Sequence, residues 1–372
     1  MSAPEDITAA RRRWITVAQR TGTPLLSVLL AMVVGSLIVA VSGGDPFAAF
    51  AALWQGAFGN AYQTGETLMR ATPIIFTGLA IAYGFRSGLF NIGAEGQLFI
   101  GGLVAAWLGI ALGALPAIVV LPVMLVGGAL AGAAWAFIPA VLKAKVGAHE
   151  VITTMMFSWI GRIFVNYILD GPMKAPAPDG GVGTIPWSRM LAPNATLPKF
   201  MELIPGLPKN NAHIGFLIAV LLAVGVWLLL KYTTLGYDAR AVGYNPTAAQ
   251  TGGISVAWTT VWSLCISGAL AALAGVSEVA GVQHRMTDSF SSGFGFTGIA
   301  VALLAKNHPL AVIPAALLFG GLSAGAGMMQ MNANVPDKLV DIVQALVIFF
   351  VAAETLITWF IKRRQKEATK SA

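Results

Sequence analysis

Long apolar runs separated by short polar stretches dominate the chain, at 24–41, 71–85, 98–113, 116–142, 212–230, 256–282, 297–305, 309–329 and 339–361. A further run lies within VGAHEVITTMMFSWIGRIFVNYIL, which starts at Val146. A helix needs about 20 predominantly apolar residues to cross a bilayer core about 30 Å thick. The pattern predicts an all-α integral membrane protein of about ten transmembrane helices. The segments 1–23 and 362–372 are left as a polar leader and a basic tail around a membrane domain at 24–361.

Two places interrupt the pattern. After the short run at 71–85 comes RSGLFNIGAEGQ (86–97), and after the run at 256–282 comes the stretch ending in SSGFGF (291–296). Polar, glycine-broken backbone at membrane depth is tolerated only where it is buried in protein or lines a cavity. Short, interrupted spans on either side of such a break predict discontinuous helices at a binding site. Ordinary helices joined by a loop, with glycines serving close packing, are the plainer alternative. Each half of the chain carries one break after its second span, and five spans per half invert the second half relative to the first. The expectation is two inverted five-helix repeats with a pathway at their interface.

Between the spans, 45–70 is aromatic and mildly amphipathic, which suits a helix lying along the membrane surface. The proline-rich stretch 171–211 has no long apolar run and reads as a loop outside the membrane, either a partner surface or a spacer. The polar stretch 232–254 predicts a short capped helix. Asn245 suits the N-cap, Pro246 the first helical position, and Gly252 and Gly253 the stop.

Composition agrees, with 56% hydrophobic and 10% charged residues in 372. From Ala71 to Leu142 the only charged residues are Arg86 and Glu95. The net charge of +7 does not point to nucleic acid, because Lys and Arg gather at the flanks of the spans. Their excess on the side holding both ends places both termini in the cytoplasm. The first run is long enough to span and lacks a cleavage site, so it reads as a helix rather than a signal peptide. The single Cys265 cannot form an intrachain disulfide, and four scattered histidines offer no metal-ligand spacing.

Catalytic chemistry is not visible. No Gly-Lys dipeptide occurs, so the phosphate-binding loop G-x-x-x-x-G-K-[ST] is missing. HExxH is missing too. An ion relay would rest on Glu95, Glu278 and Glu354 alone, which is thin for a secondary transporter. The chain reads as a transport subunit that binds no cofactor and is not an enzyme.

Four motifs, in order, are GLFNIGAEGQ, GAHEVITTMM, LGYDARAVGYNPTAAQTGGI and EVAGVQHR leading to GFTGIAVALLAKNHP. Together they resemble the permease subunits of nucleoside and simple-sugar ABC importers, within the group that includes ribose and branched-chain amino-acid permeases. The resemblance runs from about 45 to 360. It implies a bacterial inner-membrane permease that pairs with a second permease, a paralogue or a copy. It also implies a cytoplasmic ATPase, which holds the ATP and Mg, and an extracytoplasmic substrate-binding protein. Nucleosides are the implied substrates, with simple sugars the alternative. The capped helix would be the coupling helix against the ATPase, with Asp238, Arg240, Gly243, Tyr244, Asn245 and Pro246 at that contact. The pathway candidates are Phe90, Asn91, Glu95, Gln97, Phe294 and Phe296. Amides offer donors and acceptors to a base or ribose, and Phe rings offer stacking faces.

Overall fold

A computed structural model describes residues 26–176, 185–204, 206, 208–288, 290–333, 335–336, 338–351 and 353. The expected leader at 1–23, the basic tail at 362–372 and Glu354 lie outside them. The described chain is helical, with only isolated β-bridges. Its long helices are α1 (Leu26–Val41), α2 (Pro46–Phe58), α3 (Ala61–Arg86), α4 (Ala94–Ala111), α5 (Ala117–Val141) and α6 (Glu150–Asp170). A one-turn α7 (Phe200–Leu203) precedes α8 (Gly215–Tyr232), α9 (Thr234–Tyr244), α10 (Pro246–Thr251) and α11 (Val256–Glu278). Last come α12 (Phe294–Leu304), α13 (Pro309–Ala333) and α14 (338–351). Among the described residues 7 helices are long and apolar enough to cross a membrane, and α1 and α12 are shorter apolar helices.

The chain divides into two compact units, 1–56 with 325–372, and 57–324. In the first, α1 packs on α14, where a Cβ at Gly35 would lie 2.8 Å from Val343 Cγ2. The second holds both breaks. Its axis is α11, which packs against α3, α4 and α5. The contact is backbone to backbone. A Cβ at Gly101 would stand 2.6 Å from Ala272 Cβ, one at Gly268 2.6 Å from the Gly132 carbonyl oxygen, and one at Gly275 2.8 Å from the Gly102 nitrogen. Small residues let apolar helices approach this closely, and in lipid such packing replaces the missing hydrophobic drive.

Two boundaries differ from the sequence reading. The helix expected to begin at 71 begins at Ala61 and runs for 26 residues, so α3 is not a short, interrupted span. Asn60 starts it by accepting from the Gln63 N–H at 2.9 Å. The polar turns of Gln63, Glu66 and Arg70 ended the apolar run without ending the helix. In the other case, Thr234–Tyr244 is a helix of its own, capped by Thr233 accepting from the Gly236 N–H at 3.1 Å.

The long loop carries a 3-10 turn at Pro193–Ala195 as well as α7. It is stitched to the segment after α11. Ser188 N donates to the Met286 carbonyl at 2.9 Å, Leu191 N to His284 O at 2.8 Å and Leu197 N to Ala280 O at 2.8 Å, while Arg285 stacks 4.3 Å over Trp187. Beneath it His213 is buried, accepts from the Gly215 N–H through Nδ1 at 3.2 Å, and has an unpartnered Nε2. Burial, with His284 and Lys199 nearby, lowers the His213 pKa to about 4. A histidine held neutral in the fold but titrating near 6.5 when unfolded stabilises most above pH 6.5, and that contribution is lost as pH falls through about 4. Melting of the purified protein at pH 7 and pH 5 is expected to show the lower midpoint at pH 5, with His213→Gln reducing the difference.

Candidate functional site

The first break begins where α3 stops. Gly88 takes φ +71, Gly88 N donates to Phe85 O at 3.1 Å and Leu89 N to Gly84 O at 2.9 Å. This is the turn by which a glycine past a helix end satisfies the last carbonyls. The chain then folds back into the protein. Asn91, fully buried, donates through Nδ2 to Gln97 Oε1 at 2.8 Å and to Ser267 Oγ at 2.9 Å. Its Oδ1 accepts from Gly93 N at 2.9 Å and Gln97 Nε2 at 3.2 Å. Ser267 Oγ in turn donates to Ala80 O at 2.7 Å. The hydrogen-bonding capacity of the Asn91 amide is thereby filled inside the protein. From α6, Thr154 Oγ accepts from Ile92 N at 3.2 Å and Ser158 Oγ from Gly96 N at 3.3 Å.

The second break arrives at the same place. Gly293, at φ +82, starts α12, and Thr77 Oγ on α3 donates to Phe294 O at 2.9 Å. At a rise of about 1.5 Å per residue, Thr77 lies about 13 Å from the α3 end. The start of α12 is therefore well inside the bundle. Here one carboxylate joins the two breaks. Glu95, in the first turn of α4, accepts from Ser291 Oγ at 2.6 Å through Oε1 and from Gly295 N at 2.7 Å through Oε2. The N-termini of α4 and α12 carry partial positive charge, so both favour this anion. Arg86 does not reach Glu95. Its Nε donates to Asn307 O at 2.9 Å, tying the end of α3 to the turn after α12.

Of the pathway candidates, the structure brings Asn91, Gln97, Glu95 and the Phe294 backbone to this junction. Phe90 stacks on Phe85 with centroids 4.9 Å apart, and Phe296 is 47% exposed. Among the described residues no group of three or more His, Cys, Asp or Glu side chains is placed to hold a metal.

The other predicted site forms the end of the bundle below the first break. Asn245 caps α10 through the Ala248 N–H at 3.1 Å, Pro246 follows it, and Gly253, at φ +85, closes the helix. Tyr244 is 84% exposed. Arg240 Nε donates to Gly236 O at 3.2 Å, and Asp238 is half-buried on the same helix. Gly243 is the point of contact with the break, since a Cβ there would lie 2.9 Å from the Gly88 nitrogen and from the Ser87 carbonyl carbon. Replacing Asn245 by Ala is expected to destabilise α10 by about 1 kcal/mol, the usual worth of an N-cap side chain. Hydrogen exchange of the Thr247–Thr251 amides checks it.

Residues 63–352 match the family model described as branched-chain amino acid transport system / permease component. The chain belongs to this permease family. It is similar to the guanosine ABC transporter permease protein NupP of Bacillus subtilis, at 40% identity over 92% of this chain and 96% of that one. NupQ, a second guanosine permease protein of that bacterium, matches at 26% over 80% of this chain and 91% of its own. The glucose ABC transporter permease protein TsgB13 of Haloferax volcanii is 38% identical over 91% of this chain and 89% of that one. The nucleoside ABC transporter permease protein NupB of Lactococcus lactis is 33% identical over 93% and 96%. No solved structure matches the chain. The permease is a multi-pass membrane protein and a transport component.

Sequence reasoning on the permease reached Glu95 and missed its partners. Ser291 and Gly295 lie 196 and 200 positions away, and no local pattern links them. Thr77 and Ser267, which fasten the breaks to α3 and α11, sit among apolar neighbours with no marker of their role. Thr154 and Ser158 did carry a signal, two hydroxyls one helical turn apart in an apolar span.

Proposed function

We propose that the chain is one membrane subunit of an ATP-driven importer that carries nucleosides across the bacterial cytoplasmic membrane. The observation carrying this reading is the similarity to a guanosine permease over nearly the full length of both chains. Both guanosine permease proteins of Bacillus subtilis resemble it, which favours a partner permease that is a paralogue. A cytoplasmic ATPase supplies the energy, with ATP and Mg on that subunit, and an extracytoplasmic binding protein delivers the solute. Both termini face the cytoplasm, α9 and α10 face the ATPase, and the 171–211 loop faces outward.

The architecture proposed is ten crossings in two inverted five-helix repeats. Three correspondences support it. Each break starts its returning helix at a glycine, Gly93 and Gly293. Each returning helix packs on the long helix of the other half, α4 on α11 and α12 on α3. Both N-termini end on Glu95. The path runs past this junction, lined by Glu95, Phe90, Phe294 and Phe296, while Asn91 and Gln97 hold the first break in shape.

The test is uptake of radiolabelled guanosine and uridine by vesicles holding the chain with its paired permease, ATPase and binding protein. ATP-dependent uptake displaced by nucleosides and not by glucose is the expected result. A second reading, a sugar importer, is favoured by the 38% identity to a glucose permease, and displacement by glucose alone would establish it. Uptake by this chain alone, driven by an ion gradient, would overturn both.

A further inference from the structure

The hydroxyls of α6 that hold the first break begin a longer line. Thr154, Ser158, Arg162 and Asn166 follow one another at intervals of four, so each stands one turn above the last. Thr154 and Ser158 are buried against the break, and the line winds outward to Arg162, which is exposed. At about 1.5 Å per residue, Arg162 lies about 18 Å from the Glu150 end of α6 and about 12 Å from Asp170. That is mid-span. An arginine facing hydrocarbon at this depth is costly, and such residues face bundle interiors or water-filled cavities. Its position supplies a second charge near the junction, because Gly161, next to Arg162, lies against Gly96, next to Glu95, a Cβ at Gly161 standing 3.4 Å from the Gly96 carbonyl oxygen. One turn further on, Asn166 Oδ1 is buried and has no hydrogen-bond partner. A buried amide oxygen without a donor marks a place where a donor from elsewhere belongs.

We propose that Arg162 and Asn166 form a solute-binding station on the translocation path, beside Glu95, for a neutral ligand rich in hydroxyl, carbonyl and ring-nitrogen groups. This rests on the nucleoside reading above. The guanidinium presents five donors and stays charged, which suits ribose hydroxyls, base carbonyls and ring nitrogens. The Asn166 oxygen accepts from a hydroxyl or an exocyclic amine. Glu95 and Arg162 carry opposite formal charges, so the station has no net formal charge, which suits an uncharged solute. Neighbouring exposed positions on α6 are apolar, with Trp159, Ile163 and Tyr167 at 53%, 67% and 72% exposure. The polar line is thus a stripe on an otherwise lipid-compatible or partner-compatible helix.

The experiment uses the complete transporter in membrane vesicles, with Cys265, the single cysteine, replaced by Ala. Arg162→Cys, Asn166→Cys and Ile163→Cys are each treated with a membrane-impermeant, charged methanethiosulfonate reagent. Cysteines at 162 and 166 are expected to react, at least threefold more slowly when guanosine is saturating, and the cysteine at 163 to stay inert. If 162 and 166 are as inert as 163, the station is overturned. Reaction unaffected by any solute overturns it as well. Protection by glucose and not by guanosine keeps the station and overturns the nucleoside reading, so the two failures are distinct. A second readout needs no cysteine. Arg162→Gln is expected to raise the KM for guanosine at least fivefold, and Arg162→Lys to recover part of it.

Discussion

Replacing Glu95 by Ala is expected to lower solute uptake by the assembled transporter at least tenfold and to lower the melting temperature of the permease. The substitution removes the acceptor of both the Ser291 hydroxyl and the Gly295 N–H. A hydrogen bond to a charged group is worth about 1.5–3 kcal/mol, and a tenfold change needs about 1.4 kcal/mol, so the loss of even one is sufficient. The N-termini of α4 and α12 would also face one another with no anion between them. Glu95→Gln is expected to fall between, because its carbonyl oxygen still accepts once while its NH2 group opposes a donor. Uptake and thermal melting of Glu95→Ala, Glu95→Gln and the parent chain decide it. Parental uptake in the Ala variant would remove the carboxylate from the transport cycle.

Gly243→Val is expected to leave ATP hydrolysis by the assembled complex while cutting uptake at least tenfold. The position has no room. Even a single methyl would press on the Gly88 nitrogen and the Ser87 carbonyl carbon at 2.9 Å, against the closest ordinary Cβ contacts above 3.0 Å. A β-branched side chain must push α9 away from the first break, which it meets here backbone to backbone. If α9 and α10 take the movement of the ATPase, the separation interrupts its passage to the junction. Hydrolysis and uptake measured on the same vesicles distinguish this from misassembly, which would lower both. Coupled hydrolysis and uptake at parental rates would show that the contact carries no movement.

The parts of this molecule that were legible in the sequence are those set by neighbours along the chain. Asn245, Pro246, Gly252 and Gly253 announce α10 because capping is a matter of three or four adjacent residues. The apolar runs announce most of the long helices for the same reason. The start of α3 was misplaced because hydropathy reports where lipid contact ends, while Asn60 and ten further helical residues lie beyond that edge. Helix α9 was not expected, and its Gly236 and Gly243 serve close approaches, to Leu230 and to the first break, that lie outside its own stretch of chain. Glu95 was visible as a charge in an apolar stretch, yet its purpose was not. That depended on a serine and a backbone N–H in the other half of the chain, which no spacing rule connects.

The glycine contacts along α11 have one more consequence, for which parts can move. With Gly101 against Ala272, Gly268 against Gly132 and Gly275 against Gly102, no large side chain lies between α11 and its neighbours α4 and α5 at these three contacts to act as a cushion. Sliding any one of them by a fraction of a turn drives carbonyl oxygens into backbone. These contacts hold the three helices together as a block, and the winding loosens at the π turns Leu142–Val146 and Val279–Gln283 that end α5 and α11, where π turns commonly mark functional sites.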